Sequence, residues 1–305
     1  MLLTWRLIEL NEQHKGMLAA FVAYAIFGLS FLFSKVALGL TSPMVLLCVR
    51  FGVTVLALNL MVLLRLVKLE LKGKKLGGAI VLGLLQPVLY FVCENYGLKF
   101  TTTSFAGMMS SISPVITAVL GALLLREKPT LRQWICIGIS VSGVLIMTLK
   151  PGGGQNTLLG CLCLVGAYFA GSMYTLLSRK LSSEFKPFDL TYVMFIMGFV
   201  FFTGGAVAQN GADTLRVIGQ ALSHPEFVGG IVFLSLFSSV GAFLLINYSL
   251  ARLPVARAAI FNNLTAVVSV LAGVLVMKDP FTWVTALASV LILTGVWGVN
   301  RFGAE

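Results

Sequence analysis

Charge is what this sequence has least of. Of its 305 residues only 11% are charged, against roughly 25% in an ordinary soluble domain. Acidic residues are scarcest, 11 Asp and Glu beside 22 Lys and Arg. Histidine occurs only as His14 and His224, both outside the apolar runs, and neither a His-Glu-x-x-His motif nor a pair of aspartates inside an apolar run exists. An intramembrane enzyme needs a metal cluster or a nucleophile with its base, so that class is set aside. The five cysteines, at 48, 93, 136, 161 and 163, all lie in apolar runs. Cys161 and Cys163 point to different sides of a helix, so neither a disulfide nor a metal site is indicated. The longest polar connection, residues 209–226, is too short for a receptor domain.

What the sequence has instead is apolar length. Hydrophobic residues make up 58% of the chain and the mean hydropathy is +0.97. Ten apolar stretches fall near residues 17–38, 44–64, 76–98, 104–125, 131–149, 158–178, 188–208, 227–250, 256–277 and 281–300. Each approaches the roughly 20 residues that cross a bilayer core as helix. Placing both termini in the cytoplasm puts sixteen of the 22 Lys and Arg on the inner side and four on the outer, which is the positive-inside bias. The basic stretch 65–75 therefore reads as an inner loop touching anionic headgroups, and nucleic acid is excluded as a partner. Residues 1–16, with Trp5 and several leucines interrupted by Glu9 and Glu12, read as a cytoplasmic interfacial segment rather than a signal peptide.

The chain also repeats itself. Leu82, Val88, Phe91, Asn95, Tyr96, Leu98, Gly121 and Gly143 recur 152 positions later as Leu234, Val240, Phe243, Asn247, Tyr248, Leu250, Gly273 and Gly295. At a spacing of 144, Ala23-Tyr24 matches Ala167-Tyr168, Ser34-Lys35 matches Ser178-Arg179, and Pro43 matches Pro187. Five spans (17–149) precede the Gly-rich linker 150–157 and five (158–301) follow it. Five is odd, so the second half enters the membrane from the opposite face. The expected fold is an all-α polytopic membrane protein, ten transmembrane helices as two inverted five-helix repeats around a central cavity. That construction suits alternating access, with binding near the midplane between repeats.

Phe27-Gly28-Leu29-Ser30-Phe31 with Lys35, Pro43 with Arg50-Phe51, Asn95-Tyr96-Gly97-Leu98, Ser113-Pro114 and Leu125-Arg126-Glu127-Lys128-Pro129 together resemble the EamA-type, ten-helix members of the drug/metabolite transporter superfamily. Tyr248-Ser249-Leu250, Pro254, Gly273 and Lys278-Asp279-Pro280 continue the pattern in the second half. Two positions depart from it: Phe27 stands where the family often has Trp, and Ala266 stands where the repeat partner is Pro114. The resemblance covers about residues 17–301 and implies a carrier for small polar or amphipathic metabolites, usually an exporter of amino acids or their relatives. It implies no bound metal or organic cofactor. Partners are then a small-molecule substrate, the lipid bilayer and, as one candidate coupling ion, protons; the chain acts as a monomer or homodimer in the cell (inner) membrane. Import, transport of organic cations, and a passive channel are the competing readings.

Ionisable groups inside a span are costly and mark function. Three qualify: Lys35, Arg50 and Glu94. At about 1.5 Å per residue they share a level near the outer end of their spans, so Glu94 is either a substrate or proton site or the acid of an ion pair with Arg50 or Lys35 that holds the outer gate. Tyr90 lies one turn before Glu94 on the same helix face. Repeat-related polar positions complete the candidate substrate site: Tyr24 with Tyr168, and Ser110-Ser111 with Asn262-Asn263. Interhelical hydrogen bonding is the competing role for each. Pro114 removes a backbone donor and is expected to kink the fourth span. One charge for each end of a zwitterion, or Glu94 and aromatic rings around an organic cation, both fit this set.

Overall fold

In the computed structural model the polypeptide is built from helices joined by short turns, and it describes residues 2–71, 73–74, 76–124, 130–149, 156–181, 185, 187–250, 252 and 261–302. Among the described residues seven helices are long and apolar enough to cross a membrane, and three shorter apolar helices accompany them. We label them α1 (Leu2–Leu38), α2 (Pro43–Leu63), α3 (Gly77–Lys99), α4 (Thr103–Leu124), α5 (Leu131–Leu149), α6 (Leu158–Leu181) and α7 (Pro187–Asn210). Then come α8, in consecutive segments Pro225–Val232, Phe233–Gly241 and Ala242–Leu250, α9 (Asn262–Leu275) and α10 (Trp283–Phe302). The residues before the first apolar span are helical and run into α1 without a break, the span itself beginning at Glu12. The long connection 209–226 is ordered as a short 3-10 turn and an amphipathic helix, Thr214–Leu222. Of the linker 150–157, only Asn156 and Thr157 fall among the described residues.

Local chemistry explains the tight turns. Ser42 caps α2, its hydroxyl accepting from the Val45 amide at 3.4 Å, with Pro43 in the first helical turn, where no intrahelical N–H is needed. Thr102 caps α4 in the same way through the Phe105 amide at 3.2 Å.

Packing follows the repeat. Helix α1 packs against α8 and α9, and its repeat partner α6 packs against α3 and α4. The self-related pairs α2 with α7, α4 with α9, and α5 with α10 also meet. These are the contacts that a twofold exchanging the halves demands. Side chains obey it too: the rings of Phe51 and Phe195, 144 positions apart, touch at 5.3 Å between centroids. Phe51 meets Phe91 at 5.4 Å while Phe195 meets Phe243, the repeat mate of Phe91, at 5.9 Å.

Close approach is bought by glycine. A Cβ on Gly28 of α1 would stand 2.6 Å from the Val268 Cβ and 2.8 Å from the Thr265 carbonyl of α9. At the mate of Gly28, Ser172, the hydroxyl donates to the Ser113 carbonyl at 3.2 Å, and Ser113 is the mate of Thr265. Without a hydrophobic drive between helices in lipid, such small-residue seams and interhelical hydrogen bonds hold the bundle.

Candidate functional site

Two spans are broken at the same repeat position. In α3, residues Leu84–Leu89 form a π-helical turn in which Gln86 is extended (φ −143°, ψ 117°). Pro87 explains it: proline lacks the N–H, and the residue before it is driven out of the helical region. In α8 the π-helical stretch is Phe233–Gly241, and Ser239 is the mate of Pro87 at a spacing of 152. No proline acts there. Instead Ser239 donates to the Leu234 carbonyl at 2.9 Å and Ser235 donates to the Arg50 carbonyl at 2.9 Å, so side-chain hydroxyls compete for backbone acceptors. Interrupted helices at matching positions of two halves are the best pointer to a transporter's binding region, and π-turns recur at functional sites.

The candidate residues converge around these breaks. Tyr90 and Glu94 lie one turn apart immediately after the π-turn of α3, and the Tyr90 hydroxyl donates to Glu94 Oε1 at 2.9 Å. Both are half-buried. The Tyr90 ring packs edge-on against Tyr168 of α6, centroids 6.3 Å apart. Arg50 of α2 is 4% exposed, with its guanidinium over the Phe91 ring at 4.6 Å. Arg50 Nε and Nη2 donate to Ser239 Oγ at 3.3 and 3.2 Å, and Nη2 reaches Ser238 Oγ at 3.5 Å. Ser30 of α1 adds its hydroxyl to Ser238 at 2.8 Å. Arg50 and Glu94 attract through space but form no ion pair in this conformation, and the guanidinium face lies on the Phe91 ring.

Lys35 sits elsewhere. Its Nζ donates to the carbonyls of Leu98 (2.8 Å), Lys99 (3.4 Å) and Thr101, at and just beyond the C-terminal end of α3, where a cation is favoured. The same turn is held by Asp279, whose Oδ2 accepts from the Ser104 amide and hydroxyl, both at 2.8 Å. Gln209 adds a third tie, donating to the Tyr96 hydroxyl at 2.9 Å and accepting from Ser42 at 3.2 Å. Lys35 thus belongs to a polar closure of the face opposite the N-terminus, made from carbonyls rather than from Glu94.

The remaining predicted positions divide. Tyr168 is buried and its hydroxyl donates to the Ala106 carbonyl of α4 at 2.9 Å. Tyr24 is half-buried, its ring 6.1 Å from Phe27, and its carbonyl accepts from Thr265 at 3.1 Å. Ser110 is buried and bonds its own helix at the Gly107 carbonyl, 2.6 Å. Ser111, fully buried, has a hydroxyl with no partner in the break between Thr103–Ser110 and Ser113–Leu124. This break lies where Pro114 was expected to kink α4. Asn263 is half-buried in the first turn of α9; Asn262 begins that helix, and its side chain lies outside the described residues. Sequence reasoning passed over Ser235, Ser238 and Ser239. The signal available was the spacing that pairs Ser239 with Pro87.

A cleft between α2, α7 and α8 reaches this region. Leu58, Met61, Phe188, Val240 and Phe243 line it, and Ser239 brings it to the Arg50 cluster. The candidate site is therefore a buried cation among serine hydroxyls, a half-buried carboxylate on a tyrosine, and a largely apolar cleft that reaches the serines at Ser239.

Comparison with known proteins agrees with this architecture. An uncharacterized transporter of Bacillus subtilis, YcxC, is 32% identical over 95% of this chain and 94% of its own length. A probable amino-acid metabolite efflux pump of Escherichia coli is 23% identical over 96% of both chains. A protein of known crystal structure shares the fold with a TM-score of 0.62 at 18% identity, over 93% of this chain and 97% of its own. The EamA-like transporter family matches residues 14–149 and 158–301, one match for each half. This chain is a multi-pass membrane transporter that belongs to the EamA-like transporter family.

Proposed function

We propose that this transporter exports a small metabolite, an amino acid or a related polar or amphipathic compound, across the cell membrane by alternating access. The observation that carries this reading is the Tyr90–Glu94 hydrogen bond, 2.9 Å long and half-buried, placed directly after a helix break whose repeat mate lies across the bundle. A carboxylate held there by one tyrosine keeps free lone pairs for a substrate ammonium or a proton. Export of an amino-acid metabolite is supported by the name of the Escherichia coli relative. The sixteen-to-four distribution of Lys and Arg supports cytoplasmic termini, which makes the Lys35, Asp279 and Gln209 closure the outer one.

The test is a thermal-shift screen of the purified protein against amino acids, nucleosides, vitamins and organic cations at pH 5.5 and 7.5, with Glu94→Gln alongside. Hits are then reconstituted for counterflow with and without a pH gradient. An amino acid that stabilises wild type, fails on Glu94→Gln and shows counterflow supports the reading. Stabilisation by organic cations alone replaces the substrate class, and uptake without counterflow replaces the carrier by a channel.

A further inference from the structure

Arg50 is a permanently charged group, 4% exposed, whose side-chain contacts are two serine hydroxyls at 3.2–3.5 Å and the face of Phe91. Those hydrogen bonds are long against the usual 2.9–3.0 Å, and a guanidinium has five donors to satisfy. A buried charge with no acidic group in hydrogen-bond contact, only the through-space attraction of Glu94, is expensive. The fold does not demand it. Under the repeat spacings, Met194 occupies the position of Arg50 in the second half, Ile246 that of Glu94, and Ala242 that of Tyr90. The second half builds the same aromatic contact, Phe195 on Phe243, with no charge present. The ionic groups are thus an addition to a symmetric scaffold that packs without them.

We infer that Arg50, with Ser238 and Ser239, is the site for the carboxylate of the transported compound, whose apolar portion lies in the cleft between α2, α7 and α8. This rests on the metabolite-carrier reading above and deepens it. A carboxylate matches the guanidinium fork in two parallel hydrogen bonds, as a hydroxyl cannot. The serine hydroxyls that accept from Arg50 now can rotate to donate to an anion, because each carries a proton as well as lone pairs. Ser239 connects the cation to the cleft, and apart from Thr191 its other walls, among them Leu58, Met61, Phe188, Val240 and Phe243, are apolar. A ligand with a carboxylate and a branched or aromatic tail satisfies both ends. If it also carries an α-ammonium, Glu94 on Tyr90 accepts it. Arg50 in this conformation is covered, so binding accompanies separation of the helices around it.

The experiment uses four probes that differ in one group: L-leucine, leucinamide, isopentylamine and 4-methylpentanoate, with the phenylalanine series in parallel. Each is scored by thermal shift and by counterflow competition on wild type, Arg50→Lys, Arg50→Gln and Ser239→Ala, every variant first checked for a monodisperse elution profile. Wild type is expected to prefer the acids over amide and amine. Loss of a charge-assisted hydrogen bond predicts roughly 10–100-fold weaker acid binding in Arg50→Gln with the acid-over-amide preference gone. Arg50→Lys retains that preference in weakened form, and Ser239→Ala, which leaves the cation in place, loses several-fold. An acid preference that survives Arg50→Gln overturns the assignment, as does a wild type that prefers amide or amine. Transport confined to organic cations overturns the carboxylate site while leaving a metabolite carrier standing; no binding or counterflow by any compound in either screen removes both. If Arg50→Gln is not monodisperse, Ser239→Ala decides: unchanged selectivity and affinity there overturns the inference.

Discussion

The seam between α4 and α9 offers a sharp test of the packing. A Cβ on Gly107 would overlap both the Cβ and the Oγ of Ser269, while the Ser269 Cα stands 3.5 Å away. Ser269 is fully buried and donates to the Thr103 carbonyl at 2.9 Å. Because the obstructing atom is a Cβ, no rotamer change relieves the overlap, and Gly107→Ala must push the helices apart. Overpacking of this kind costs about 1–3 kcal/mol. Separation also weakens the Ser269–Thr103 bond, about 0.6 kcal/mol on average in a membrane and up to about 1.7. Replacing helical glycine by alanine restores up to about 1 kcal/mol. The net loss is about 1–3 kcal/mol, a fall of a few degrees at about 2–4 °C per kcal/mol, read as the melting midpoint of detergent-purified protein. The rescue discriminates. Gly107→Ala with Ser269→Gly merely exchanges which helix carries the Cβ and recovers to within about 1 kcal/mol of wild type, the loss of one hydrogen bond. Gly107→Ala with Ser269→Ala retains the overlap and stays near the single variant. Equal stability of the two double variants, or a Gly107→Ala protein as stable as wild type, would refute the reasoning.

Three further outcomes follow from the hydrogen bonds and ion pairs. Tyr168→Phe removes the tie from α6 to the Ala106 carbonyl and should lower the melting midpoint by about 1 kcal/mol equivalent with ligand-induced shifts unchanged; a changed ligand affinity moves Tyr168 into the binding surface. Lys35→Met uncaps three carbonyls at the end of α3, so a cysteine placed at Thr101, which is buried, should react faster with a water-soluble maleimide than in the Lys35 background. Asp189 is fully buried at the start of α7 and takes the Lys74 ammonium and the Glu70 amide, each at 3.1 Å. Asp189→Ala removes this acceptor from both and should destabilise by about 3 kcal/mol, whereas Lys74→Met, removing the more exposed partner, costs less; the reverse order of melting midpoints would contradict this.

Much of the site was legible in residue type. Lys35, Arg50 and Glu94 stand out because an ionisable residue in an apolar run is rare for a plain energetic reason, and Tyr90 follows from helical spacing. Their pairing was not legible. Equal depth made an ion pair reasonable, but depth says nothing about azimuth, and the faces of α1, α2 and α3 direct Lys35 to carbonyls, Arg50 to α8, and Glu94 to Tyr90. Ser238 and Ser239 read as unremarkable polar residues until α8 laid them against Arg50.

The sequence alone determined the solvent, the number of crossings, the halving of the chain and the family, because hydropathy, charge bias and repetition are properties of local stretches that a bilayer converts directly into topology. The tertiary structure alone decided which polar groups meet. That depends on the rotation of each helix about its axis, set by seams such as Gly28 on Thr265 and Gly107 on Ser269 and by the breaks at Leu84–Leu89 and Phe233–Gly241. These are sums of many small contacts between segments more than a hundred residues apart, and no window along the chain contains them.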